Sequence, residues 1–431
     1  MRFPYKILAV IGLALLLFIP LSMTESLVGS RNERQIQTET QVARLTARPQ
    51  TLEGPILVVP YTLEARRQER DGNGQLRETW VEERGEKTFA PRDVDIQGEV
   101  RIEARRRGLY RTQVYRLTGP LRGAFQLPEA AGLAWARNLR LGTPRLALGI
   151  EDPRGILNRM EVRLGGRTFP FAPGTSLGHP ASGVHATLDG VDAGRAGSLP
   201  FEIGLELVGT RSVHFAPLAE ETTVKLQGGW PAPSFEGGFA PLDRTWSREG
   251  FSATWKIPYL SRDLASLMKG GPAAEAQHFG VAFLDPVNIY LQSERAVKYG
   301  FLFVVLTFGA FLLRELIRAL PVHPLQYFLV GASLAVFFLL LLGLAEHMGF
   351  GPAYATAAAA NLALLGAYLT AALGDRREGL LFTGGLGLLY GALYGLLASE
   401  DNALLLGSLL VFALLAAVML GTRHLTWNRG E

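Results

Sequence analysis

The 431-residue chain contains no cysteine. That excludes disulfides, thiol nucleophiles, thiolate-bound zinc and iron–sulfur clusters together, so any part in an oxidising compartment is held by its core alone. Lysine is nearly as scarce, at six residues, and Arg supplies the rest of the 43 basic side chains. The net charge of +4 is small and mixed in sign along the polar part. No basic stripe offers itself to a nucleic-acid backbone, so nucleic acid is excluded as a partner. Also missing are a phosphate loop, a strand-to-helix serine elbow and any period of 20–50 residues.

Charge runs short in one region. Residues 29–298 hold 35 basic and 31 acidic side chains, an ordinary water-facing density, whereas residues 299–431 hold 6 and 7. The apolar runs between those few charges are too long to be hidden in one small core, so the chain is not wholly soluble. Residues 7–28 follow Arg2 and Lys6 and read as a retained anchor in preference to a cleaved signal, since no small-x-small site follows. Five further runs, at about 299–316, 325–345, 352–373, 379–398 and 403–421, each approach the ~20 residues that cross ~30 Å of hydrocarbon. The resulting division is an anchor (1–28), a polar domain (29–298), a five-helix bundle (299–421) and a tail (422–431).

Arg2 and Lys6, Arg314 and Arg318, Arg376 and Arg377, and Arg423 and Arg429 fall at alternate ends of these spans. The loops at 346–351 and 399–402 have no Lys or Arg. The positive-inside rule then expects both termini in the cytoplasm and the polar domain outside it.

Within that domain, residues 30–50 suit a helix leaving the membrane, stopped at Pro49. Strands and turns are expected after it. Residues 55–60 form a short buried run, Asp71-Gly72-Asn73-Gly74 is a hairpin turn, and Gly165-Gly166 separates two short strands. Val100, Ile102 and Ala104, and Phe201, Ile203, Leu205 and Leu207, alternate with polar neighbours. The expected fold is a mostly antiparallel, sandwich-like β domain with a short helix at 262–269 and a last strand at 280–284. Residues 288–298 then run as a helix into the second span.

No catalytic residues or cofactor are indicated. His179, His185 and His214 lack helical ligand spacing, so ordinary turn and strand histidines are expected and no metal site. Asp152-Pro153-Arg154-Gly155 suits a turn with an internal Asp–Arg contact better than a ligand loop. The densest aromatic stretch, Trp230-Pro231-Ala232-Pro233-Ser234-Phe235 through Phe239, is the candidate recognition loop; the alternative is that its aromatics plug the sheet. In the membrane part, Gly387, Gly391 and Gly395 carry small-xxx-small spacing for helix packing. Glu346, His347, Asn361 and His323 are the polar positions at or within spans, too few to favour transport.

Several runs resemble the CreD family of bacterial inner-membrane, cell-envelope integrity proteins. They include Arg295-Ala296-x-Lys298-Tyr299, Leu306-Thr307-Phe308, Glu315, residues 323–331 and Glu346-His347-Met348-Gly349-Phe350. Gly54-Pro55-Ile56, Arg154-Gly155-Ile156, Gly183-Val184-His185, Trp230-Pro231-x-Pro233-Ser234-Phe235, residues 403–407 and Thr422-Arg423 extend the likeness over essentially the whole chain. Asp152-Pro153 stands where Asp-Ala is expected. The resemblance implies an inner-membrane protein with a large periplasmic domain and a part in envelope maintenance. Such proteins are often made under a sensor kinase and response regulator pair and are associated with colicin tolerance and β-lactam response. It supplies no catalytic residue, cofactor or substrate. The expectation is a non-enzymatic protein binding or sensing an envelope component; a lipid or solute transporter is the alternative, and a periplasmic hydrolase is less favoured. Membrane lipids and envelope proteins or glycans are the expected partners, and nothing signals an oligomeric state.

Overall fold

The computed structural model describes residues 3–70, 76–283, 288–318, 322–372, 376–399 and 403–422. The chain forms two compact units, residues 1–36 with 287–431, and residues 37–286.

The expected anchor and the polar helix after it are one continuous helix, α1 (Phe3–Leu45). The β domain begins with β1 (Gln50–Arg70), β2 (Leu76–Phe89), β3 (Asp93–Arg107), β4 (Tyr110–Leu127), β5 (Arg137–Leu141) and β6 (Arg145–Ile150). It continues through β7 (Glu161–Leu164), β8 (Arg167–Pro170), β9 (Ala172–Pro173), β10 (Gly183–Thr187), β11 (Gly197–Thr210) and β12 (Ser212–Ala216). Then come β13 (Glu221–Gly228), β14 (Pro233–Gly237), β15 (Asp243–Trp246), β16 (Phe251–Ile257), the short helices α2 (Leu264–Lys269) and α3 (Pro272–Glu275), and β17 (Phe279–Phe283).

One sheet has the order β14-β17-β12-β1-β6-β10-β9, with β2 and β5 also on β1; the other runs β15-β16-β13-β3-β4-β11-β7-β8. Most pairings are antiparallel, as alternation predicts, but β1–β12 and β3–β13 are parallel, so both sheets are mixed. The 21-residue β1 is the spine of its sheet. It pairs β12 and β6 near its start and β2 and β5 further along. Its run Ile56 to Val59 is buried, the pattern of a strand covered on both faces. Inward residues of the two sheets, among them Leu57, Val59, Val94, Ile96, Ile203, Leu207 and Trp255, form one continuous core. Burial on that scale replaces the stabilisation that cross-links would otherwise supply.

Gly165 and Gly166 have φ of 58° and 80°, the mirror-image turn joining β7 to β8. The expected turn at 71–74 lies outside the described residues; the strands that flank it pair up to Arg70 opposite Leu76. The stretch read as a recognition loop is in part a strand. β14 pairs with β17 because alternate residues from Pro233 to Gly237 find an open edge there.

In the other unit, α4 (Ile289–Lys298) is capped by the Asn288 side chain and followed after Tyr299 by α5 (Gly300–Arg318). Then follow α6 (Pro324–Met348), α7 (Phe350–Ala372), α8 (Arg376–Ala398) and α9 (Ala403–Thr422). Five described helical segments are long and apolar enough to cross a membrane: 6–45, 289–312, α6, α7 and α8. The 20-residue α9 corresponds to the sixth expected span. The tail beyond Thr422 lies outside the described residues.

Candidate functional site

The β domain carries an open cleft of about 780 Å³ whose lining includes Arg48, Glu53, Glu151, His179, His214, Glu236, Glu275 and His278. Three neighbouring strands build one wall. On β12 His214 is in register with Gly280 of β17, and Gly280 is in register with Glu236 of β14. A Cβ at Gly280 would stand 2.0 Å from the Val213 carbonyl oxygen, so only glycine fits the middle of that row. His214 Nε2 and Glu236 Oε2 approach to 3.9 Å.

Next to β12 in the same sheet, β1 supplies Glu53, and the segment before β10 supplies His179. A Cβ at Gly270, which has φ +75°, would lie 2.5 Å from His179 Nδ1; the bare glycine after α2 lets the imidazole pack against backbone. His179 Nε2 stands 3.0 Å from Glu53 Oε2, and His278 Nε2 stands 4.0 Å from Glu53 Oε1.

Burial pushes the Glu53 carboxyl up; His179 opposes this, and Glu151 and Glu275 add to it. Burial also pushes His278 down, with His214 adding to the shift and Glu275 opposing it. His214 is likewise lowered by burial, against the pull of Glu236. These two imidazoles are therefore held toward the neutral form beside an excess of carboxylates. Glu53 Oε2 is buried with the His179 imidazole as its one close polar neighbour, and among the described residues neither it nor the buried His278 Nε2 makes a well-aligned hydrogen bond; a buried polar atom left unsatisfied normally costs ~1–3 kcal/mol. Among the described residues no group of three or more His, Asp or Glu side chains is arranged to hold a metal ion. What the cleft offers is acceptors, neutral imidazoles and negative potential, a combination suited to a polar ligand carrying cationic or N–H groups.

Of the three histidines singled out in the sequence, the cleft gathers His179 and His214. His185 is elsewhere, on β10, with Nδ1 2.6 Å from the Gly174 carbonyl oxygen. Glu53 and His278 carried no sequence signal, because strand register and the approach of α3 bring them together.

Asp152 shows the contrasting arrangement. It accepts from the backbone N–H of Arg48 (3.0 Å), from Arg154 Nε (2.9 Å) and from Arg154 Nη2 (2.6 Å). Gln50 Nε2 donates to the Asp152 carbonyl oxygen at 2.9 Å, and Gln50 Oε1 accepts the Asp152 N–H at 3.2 Å. Arg154 is the main reason the Asp152 carboxyl falls to about 2. The internal Asp–Arg contact expected for this turn is present, with every strong donor already committed.

Trp230, Phe235 and Phe239 are half-buried and pack on the core. Phe235 meets Phe251 and Trp255, and Phe239 meets Phe279. Pro231 is exposed and Pro233 half-buried.

In the membrane unit Glu346 is an ion-pair partner at the end of α6. Arg31 Nη1 lies 3.6 Å from its Oε1, which also accepts from the Tyr290 hydroxyl at 3.2 Å. A similar group stands toward the other end of α1, where Lys6 contacts Glu315 and the Tyr327 hydroxyl donates to Glu315 at 3.2 Å. Both groups fasten α1 to the bundle. His347 is exposed, with Nδ1 3.0 Å from the Gly343 carbonyl oxygen. His323 caps α6, accepting from the Leu325 N–H while its own N–H donates to Gln326. Asn361 is buried in α7; Nδ2 donates to the Ser333 carbonyl oxygen at 2.6 Å and Oδ1 has no partner.

Among the described residues the glycine stripe is open: a Cβ at Gly391 or Gly395 would meet nothing within 4 Å, and one at Gly387 only Leu362 at 3.8 Å. Close helix approach occurs instead at Gly379, where a Cβ would stand 2.7 Å from the Thr370 Cα. The membrane-unit cavity of about 660 Å³ is walled by apolar side chains of α1 and α6, such as Leu17, Met23, Phe328 and Val336. None of Glu346, His347 and Asn361 lines it.

A β-rich domain set into the chain between its first apolar helix and the rest defines a polytopic membrane protein. The sequence profile described as "Inner membrane protein CreD" matches residues 2–428. The chain is 33% identical over 426 residues to the inner membrane protein CreD of Escherichia coli (strain K12), covering 98% of this chain and 93% of that one. The chain belongs to the CreD family of inner membrane proteins.

Proposed function

We propose that this chain is a non-enzymatic protein that supports envelope integrity, and that its β domain is periplasmic and binds an envelope component in the Glu53–His278 cleft. One observation carries this reading: an open, acidic cleft in which the buried Glu53 carboxylate and His278 Nε2 have bonding capacity that the described residues do not fill, Glu53 Oε2 meeting only the His179 imidazole. A ligand group that donates to Glu53 and engages His278 offsets the cost of leaving both unsatisfied. The component is a peptide or glycan bearing amino or amide groups.

Loop charge supports the placement. Lys6, Arg314, Arg318, Arg376 and Arg377 fall at one set of helix ends, and residues 346–351 and 399–402 lack Lys and Arg. Both termini are then cytoplasmic. The apolar character of the membrane-unit cavity supports placing recognition in the β domain and not among the helices.

A photo-crosslinking residue at Ser182, on the cleft lining, is expected to capture one envelope component in intact cells. The same residue at exposed Trp135 should not. Equal capture at both positions overturns the site. If deletion of the gene leaves permeability, detergent sensitivity and antibiotic tolerance all unchanged, the envelope role fails with it.

A further inference from the structure

Strands β3 and β4 run on past their sheet. The pairing of β3 with β13 ends at Val100, and that of β4 with β11 ends at Val114. From Arg101 to Arg107, β3 has only β4 as a neighbouring strand. β4 stays paired with β11 up to Val114, opposite Glu103, so the two-stranded ribbon is Ala104 to Arg107, about 14 Å at roughly 3.4 Å per residue. Its two-residue turn is Gly108, at φ +62°, and Leu109, which is 45% exposed.

The charge on this tip is of one sign. Arg105, Arg106, Arg107 and Arg111 flank Leu109 in the sequence, and no Asp or Glu occurs between residues 104 and 116. Arg106 lies directly opposite Arg111 in the register, a cross-strand pair of like charges that destabilises a ribbon. Nearer the sheet the arginines are neutralised, Arg101 by Glu99 and Arg116 by Glu206. At the tip Arg105, Arg106 and Arg111 are exposed and have no ion-pair partner among the described residues. A ribbon that concentrates unpaired guanidinium groups around an exposed leucine disfavours its own folding and suits a surface of anions over an apolar layer.

We propose that the β3–β4 tip binds the phosphate-bearing headgroups of anionic phospholipids, with Leu109 entering the interface. Guanidinium groups match phosphate oxygens bidentately. The occupant is a bilayer because the β domain is joined to the membrane unit at both ends of residues 37–286. Covalent attachment keeps a lipid surface at high effective concentration. Each arginine near an anionic surface favours contact about fivefold, and the three exposed ones together on the order of a hundredfold.

The lack of native cysteine makes the test direct, because Leu109→Cys is a unique labelling site. The full chain, labelled there with an environment-sensitive dye, is placed in nanodiscs of pure phosphatidylcholine or with 30% phosphatidylglycerol. The expected result is a blue shift and quenching by spin-labelled lipid with phosphatidylglycerol. Both should be lost in 0.5 M salt and in an added Arg105→Gln, Arg106→Gln, Arg111→Gln background that elutes as folded protein. Leu242→Cys, exposed elsewhere on the β domain, controls for general lipid effects. An equal signal in both lipids, or survival of the signal in the triple variant, overturns the proposal. If inorganic phosphate in phosphatidylcholine discs gives the same shift, the tip is a free-phosphate site and the bilayer assignment fails.

Discussion

Asp152 and Glu53 belong to the same stretch of the β domain: Glu53 on β1 is matched with Gly149 of β6, and Asp152 follows two residues after the end of that strand. Both carboxylates have little exposure, yet one accepts several well-formed hydrogen bonds and the other meets only imidazoles, His179 at 3.0 Å and His278 at 4.0 Å. Asp152 receives the Arg48 N–H and the Arg154 fork, and its carboxyl is held down at about 2. Glu53 is pushed up by burial, its carboxylate beside the His179 imidazole alone at close range and facing a His278 nitrogen that makes no hydrogen bond among the described residues. The same residue class thus serves the fold in one place and leaves unmet bonding capacity in the other. Unmet capacity in an open cleft marks a binding site better than charge does.

Breaking the saturated side has the largest expected effect. Asp152→Ala leaves Arg154 and the Arg48 N–H without their acceptor and should cost on the order of 3 kcal/mol, read as a lower midpoint of thermal unfolding. The folded pKa of Asp152 lies below its ordinary value, so its contribution is complete above the ordinary carboxylate range. It is lost as pH falls through that range toward 2. A variant as stable as the parent at neutral pH would remove the contrast with Glu53.

The same opposition of filled and open holds among the helices. Gly379→Leu must displace the Thr370 backbone and is expected to cost about 2 kcal/mol, whereas Gly391→Leu meets open space and should stay within about 0.5 kcal/mol. Thermal unfolding in detergent separates the two. Equal losses would mean that the stripe at 387–395 is covered after all.

At Glu53 the sign reverses. Because the Glu53 pKa is raised in the folded state, stability falls as pH rises from the ordinary carboxylate range through the folded value, and the full cost persists above it. Glu53→Gln removes the buried charge and should stabilise the protein by on the order of 1 kcal/mol at pH 7.5. The gain should shrink as pH is lowered into the carboxylate range. The same variant should lose crosslinking at Ser182, a stability gain coupled to a functional loss. A destabilised Glu53→Gln would make Glu53 a second structural carboxylate like Asp152.

Much of the architecture was legible in the sequence, for reasons that are local. The apolar runs, the alternation at Phe201, Ile203, Leu205 and Leu207, the Gly165-Gly166 turn and the helix at 288–298 each act through neighbours within a few residues. The parallel pairings of β1 with β12 and β3 with β13 were not legible, since distant strands meet there through long connections. The cleft was half-visible for the same reason. His179 and His214 stood out as residues, but their partners are Glu53, more than a hundred residues away, and His278, placed by α3. The glycine stripe shows the converse: spacing marks a face on which a helix could pack, and neighbours decide which glycines are used.

The smallest expected difference lies at the end of α6 and sharpens the comparison between committed and uncommitted groups. Glu346 is tied to Arg31 and to the Tyr290 hydroxyl, whereas His347 is exposed and its Nδ1 faces the Gly343 carbonyl oxygen one turn back. Glu346→Ala removes the carboxylate that Arg31 and the Tyr290 hydroxyl share and should lower stability in detergent by about 1 kcal/mol; His347→Ala should change it by less than about 0.5 kcal/mol. A gating pair would behave otherwise, with both substitutions altering ion or solute flux in reconstituted vesicles. The geometry predicts that neither does, because the Glu346 carboxylate is committed to fastening α1 and His347 is no part of that contact.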